Sequence, residues 1–97
     1  METKQAYIIW THPNHKDKKL PVGTHYYPHI VCVDDPKQEH WSICFDVTEG
    51  NQKDEGIIEL TMLVDNDETR TFFDALMPKT KFVLLEGFTE VAQGFIL

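Results

Sequence analysis

Cysteine, glycine and proline are all sparse in this chain of 97 residues, at 2, 5 and 5. So few cysteines, with no Cys-x-x-Cys pair, supply neither a disulfide framework nor a redox motif, and Cys32 and Cys44 are expected as buried thiols within strands. No apolar run approaches the ~20 residues of a membrane-crossing helix. The opening Met1-Glu2-Thr3-Lys4-Gln5 also lacks the basic and apolar regions of a signal peptide, so no membrane association is expected and the expected compartment is the cytoplasm. Catalytic signatures are missing as well. There is no Gly-x-x-x-x-Gly-Lys-Ser/Thr loop to cradle phosphates and no Gly-x-Ser-x-Gly elbow to raise a serine nucleophile. Carboxylates are plentiful, but their pairing for acid–base work needs a geometry that spacing alone does not give. The expectation is a protein that is not an enzyme and uses no cofactor.

Cations are the other shortage. Lys and Arg number 9 against 16 Asp and Glu, a net charge of −7. Each phosphate contact needs a cation and a field that does not repel the backbone, so nucleic acid is not the expected ligand. The acid is unevenly placed: Asp34 to Glu68 holds most of it, whereas Lys16, Lys18 and Lys19 form a small basic cluster before Pro21. One face is expected to be acidic and to suit a basic protein partner, with plain solubility as the alternative.

What is present is period-two alternation, the signature of half-buried strands. Hydrophobic residues at 41% and charged residues at 26% are ordinary globular usage, and the length suits a single domain over residues 1–97. Ala6, Ile8 and Trp10 share a face of a first strand near residues 4–11. Residues 12–24 are too rich in breakers for a regular element. A second strand is read from Tyr26 to Val33, ended by Asp34-Asp35-Pro36. In the third, Trp41, Ile43, Phe45 and Val47 oppose Ser42, Cys44, Asp46 and Thr48. A loop over Glu49 to Glu55 leads to a fourth, in which Ile58, Leu60, Met62 and Val64 alternate with Glu59, Thr61 and Leu63. Asp65-Asn66-Asp67 has Arg70 where a calcium loop needs glycine, and reads as a capped turn. A short helical turn near residues 68–77 would lay Phe72, Phe73 and Leu76 on the core until Pro78 stops it. Strands over 79–86 and 90–97 complete an all-β, six-stranded antiparallel Greek-key barrel.

Histidine offers the strongest local chemistry. His12 and His15 lie in one loop, while His25, His29 and Cys32 lie on one strand, a donor set of the kind zinc or copper takes. On an extended strand, however, His25 and His29 stand ~13 Å apart, too far to chelate one ion. Unless the chain turns at Pro28, no metal site is therefore expected, and a metal-dependent protein built on His12, His15, His25, His29 and Cys32 ranks third among the functional readings. His25, Tyr26, Tyr27 and His29 also suggest an aromatic platform for a peptide or for bases. Adjacent tyrosines on a strand point to opposite faces, so one of Tyr26 and Tyr27 belongs to the core.

The last nineteen residues are the most specific part of the chain. Lys81-Phe82-Val83-Leu84-Leu85-Glu86-Gly87, a short hinge and Val91-Ala92-Gln93-Gly94-Phe95-Ile96-Leu97 read as a terminal hairpin, with Gly94 where the backbone bends or is closely approached. This stretch resembles the end of the C-terminal β-barrel domain of bacterial elongation factor Tu, with Lys81, Phe82, Glu86, Gly87, Val91 and Gly94 in matching places. Upstream, Ala6-Tyr7-Ile8-Ile9 is similar to that domain's first strand. Tyr26 and Pro28 match its Gly-Tyr-Arg-Pro-Gln-Phe motif, and Ile58 to Leu63 resembles the strand before its final hairpin. The chain departs from the family where Tyr27, Leu85 and Thr89 replace arginines and Phe88 replaces a glycine, and the segment 65–78 is longer than the family pattern. The resemblance implies a stand-alone barrel that binds another protein, either a component of the translation machinery or a basic protein. Loss of the arginines argues against the family's contact with the tRNA stem, which is the alternative. A monomer or weak dimer is expected, and a binding surface is placed at His25, Tyr26, Tyr27, His29, Glu86 and Gly87, on loop ends held by a rigid scaffold.

Overall fold

Alternation becomes burial in the first strand, β1 (Lys4–Trp10), where Ala6, Ile8 and Trp10 are sealed from solvent while Gln5 and Ile9 face out. The computed structural model describes residues 2–12, 21–51 and 54–97, so Lys16, Lys18, Lys19 and His15 lie outside the described residues. The remaining strands are β2 (His25–Tyr26), β3 (His29–Cys32), β4 (Trp41–Asp46), β5 (Glu55–Met62), β6 (Lys81–Glu86) and β7 (Thr89–Ile96), with one helix, α1 (Asp67–Asp74).

All pairings are antiparallel and run β4–β3–β6–β7–β1–β5. The circle closes where β5 meets β4 through Ile43↔Met62 and Cys44↔Thr61. After β3, β4 and β5 in succession, the chain returns with β6 beside β3, which is Greek-key order. β2 and β3 are two pieces of one strand, because His25↔Asp46, Tyr26↔Phe45, His29↔Ser42 and Ile30↔Trp41 hold a single register against β4. The barrel is thus six-stranded. The sequence predicts this strand without a break. Pro28 interrupts it because proline has no N–H to give the ladder, although its carbonyl still accepts the Ile43 N–H at 3.1 Å.

The interior is filled by Ile8, Ile30, Ile43, Phe45, Ile58, Leu60, Phe82, Leu84, Val91 and Ile96, the inward residues of the strands. A side chain at Gly94 would strike the Tyr7 carbonyl and press on Ile8 and Phe82, so this glycine marks close backbone approach between β7 and β1.

The two barrel ends are closed differently. At one end α1 begins on a capping box, in which Asn66 accepts the Thr69 N–H at 2.9 Å and Thr69 accepts the Asn66 N–H at 3.0 Å. Phe73 and, just past the helix, Leu76 enter the core. The last turn has no basic residue of its own; instead, Lys4 of β1 donates from Nζ to the carbonyls of Phe73 at 2.5 Å and Leu76 at 2.8 Å. The helix spans 67–74, shorter at its C-terminal side than the predicted turn. Val64, expected on the inward face of the fourth strand, is 50% exposed, because β5 ends at Met62 and α1 fills the rim in its place. At the other end Asn51 is 2% exposed. Its side chain accepts the Thr48 N–H at 2.9 Å and donates to the Asp46 and Ile57 carbonyls at 3.0 and 3.4 Å, while its own carbonyl accepts from Trp10 Nε1 at 2.7 Å.

Candidate functional site

The site residues expected from sequence sit on neighbouring strands. His29 of β3 is opposite Leu85 of β6, which brings the β2–β3 strand beside the Glu86-Gly87 turn. The tyrosines divide as expected. Tyr26 turns inward, packing edge-on against Phe45 at 5.6 Å and tilted against Trp10 at 5.9 Å between ring centroids. Its hydroxyl bonds the Glu86 carboxylate, and burial, followed by that carboxylate's charge, pushes the phenol above its ordinary 10.0. Tyr26 and Glu86 therefore tie two strands together, with Glu86 remaining exposed.

Tyr27 is 54% exposed, with the His25 ring 6.3 Å away. His25 Nδ1 pairs with Asp46 Oδ1 across the β2–β4 ladder at 2.5 Å. Further along the same outer face, His29 meets His40 at 5.9 Å and His40 meets Phe88 at 6.5 Å. His29 Nδ1 is buried without a hydrogen-bond partner among the described residues. Gly87 has φ +64 and Phe88 follows it at the hairpin tip, 97% exposed. Among the described residues no three His, Cys, Asp or Glu side chains converge on a metal position, and no helix is long and apolar enough to cross a membrane. Cys32 and Cys44 are free. Burial pushes both thiols up, helped by Asp35 and Asp34 at Cys32 and by Asp46 at Cys44, which keeps them protonated and poorly nucleophilic.

A second surface lies at the helical end and has no local signature in the sequence. A shallow, open groove lies between the β3–β4 connection and α1. Its aromatic wall is the Trp41–Phe72 pair, stacked at 4.6 Å with 11° between planes. Carboxylates line it from both sides: Asp35 and Glu39 from the connection, Asp67 and Glu68 from the first turn of α1. The connection is firmly built. Asp35 accepts the N–H groups of Lys37 at 3.0 Å and Glu39 at 3.1 Å, and the Gln38 amide donates to the Asp35 carbonyl at 2.6 Å. Arg70, close by on α1, is taken up by Asp65 at 2.7 Å, which holds that carboxyl below its usual range. The acid excess of residues 34–68 is legible in the sequence; its gathering around an aromatic pair is not, because residues 35–41 and 67–75 meet only once the barrel closes.

Comparison with known proteins finds no family model, no curated protein and no solved structure that matches this chain.

Proposed function

We propose that this protein is a non-enzymatic protein-binding module, a barrel similar to the C-terminal domain of elongation factor Tu, and that it docks a basic protein through its acidic face. The observation that carries this reading is the groove beside α1, where Asp35, Glu39, Asp67 and Glu68 surround an aromatic wall. Carboxylates clustered on a surface steer a cationic partner, and part-exposed aromatics supply the apolar contact that charge alone lacks. The net charge of −7 points the same way and works against an RNA ligand. Association with the translation machinery follows from the resemblance alone, as an analogy of fold.

The test is affinity capture from a bacterial lysate with the purified protein as bait, with and without nuclease, repeated with a variant carrying D35N, E39Q, D67N and E68Q. The expected result is retention of one basic protein irrespective of nuclease, lost with the variant. Recovery of tRNA, or of proteins released by nuclease, would overturn the reading in favour of an RNA-binding module.

A further inference from the structure

We infer that the outer face of β5, β1 and β7 is a docking surface for a second copy of this chain, which packs on it sheet against sheet about a two-fold axis running along the strands. The surface shares no residue with the acidic groove, and the inference does not depend on it. A barrel wall that meets only water is expected to turn polar residues outward. On these three neighbouring strands it does not. Tyr7 pairs with Ile57 on one side and with Phe95 on the other, and Ile9 and Leu97 flank this row on the same face. Ile9, Ile57, Phe95 and Leu97 are 45%, 54%, 39% and 47% exposed, and the Tyr7 and Phe95 rings lie 5.6 Å apart. Single exposed apolar residues are ordinary, but a contiguous group of this kind marks an interface.

The charges around the patch select the occupant. Past Phe95 the row reaches Lys81 of β6, so one cross-strand line reads Ile57, Tyr7, Phe95, Lys81. Ile57 lies between Glu55 and Glu59, its neighbours on the outer face of β5. One end of the line is thus a lysine, and the other is an apolar residue bracketed by carboxylates. A two-fold axis along the strands, midway between Tyr7 and Phe95, exchanges the two ends. It seats Tyr7 of one copy against Phe95 of the other. It also lays the stem of Lys81 on Ile57, with the ammonium between Glu55 and Glu59. An axis across the strands would instead stack β5 on β5 and set Glu55 against Glu59, which like charges exclude. Aligned stacking is also a common way for sheets to pack face to face. Among the described residues Lys81 makes no ion pair of its own, and the Tyr7 hydroxyl holds Glu55 at the edge of the patch. Such a patch on a curved wall falls short of the ~800 Å² per partner of a standard interface, so the dimer is a weak one.

The experiment is sedimentation velocity of the whole protein from about 10 µM to about 1 mM, in ~0.15 M salt to screen the repulsion between two acidic copies. NMR spectra are recorded on dilution. The expected result is a rise toward the dimer with concentration, and dilution shifts centred on Tyr7, Ile9, Ile57 and Phe95. K81E and E55K/E59K should each weaken association roughly tenfold, and K81E/E55K/E59K should restore it. All three positions are exposed, and the NMR dispersion of each variant checks its fold. Because E55K/E59K lowers the net negative charge, it would strengthen a non-specific association instead of weakening it. A monomer at every concentration would overturn the proposal, and so would a dimer indifferent to these variants or with its dilution shifts elsewhere. A monomer whose Ile57 and Phe95 signals move only when another protein is added would overturn it in favour of a foreign partner.

Discussion

Gly94 and Gly87 are glycines for unlike reasons, and substitution separates them. An alanine at Gly94 meets backbone, the Tyr7 carbonyl, and the flanking strands are locked in the barrel, so G94A is expected to cost about 3 kcal/mol or more. At Gly87 there is open space around a Cβ, and the cost is the positive φ alone, about 1 kcal/mol. Urea midpoints of the two variants check the ordering. Tyr26 gives a pH test. Its folded state holds the neutral phenol, so the folded protein binds that proton more tightly than the unfolded chain does. The stabilisation is complete below the ordinary value of 10.0 and is lost as pH rises beyond it. Denaturation across the alkaline range should show a decline in stability that Y26F reduces, the raised Cys32 and Cys44 thiols contributing to what remains. Of these residues, Gly94 was legible because a glycine inside an apolar run weakens a strand unless a bend or a close backbone approach requires it. The Tyr26–Glu86 bond was not, since it joins side chains from distant parts of the chain.

At the scale of elements, α1 depends on a lysine that is not its own. Replacing Lys4 by methionine keeps the apolar stem but leaves the Phe73 and Leu76 carbonyls without their charged donor, a loss of about 1–2 kcal/mol that thermal unfolding would register. Asn51 holds the opposite end, and N51A would strand the Thr48 N–H and the Asp46 carbonyl, at a cost of about 2–3 kcal/mol by the same measurement. The strands were readable because alternation is local: Ala6, Ile8 and Trp10, or Ile58, Leu60 and Met62, declare a face within a few residues. The helix was readable from the spacing of Phe72, Phe73 and Leu76 ahead of Pro78. Val64 misled because alternation continues past the point where the strand stops, and a rim position cannot be told from a wall position by period alone. Lys4 gave no local signal, since the carbonyls it meets lie far off in sequence, and Asn51, although it acts within its own loop on Thr48, Asp46 and Ile57, reads in the sequence as an ordinary turn residue.

For the whole molecule, closure through Ile43↔Met62 matters as much as charge. Among the described residues the strand order closes on itself through only two residue pairs, and the acidic groove offers a partner side chains instead of a strand edge. Binding through such a face should weaken about tenfold or more as salt is raised from low to moderate ionic strength, with the loss mainly in the association rate, as surface plasmon resonance would show. The order of strands carries a further consequence. β1 is made early yet lies between β5 and β7, and β7 is the last strand of the barrel. As the polypeptide emerges in the cell, the row of Ala6, Ile8 and Trp10 must wait until β7 has been made for its second neighbour. An incomplete barrel leaves these apolar residues uncovered, and a pause in synthesis before Gly94 is read is expected to favour aggregation.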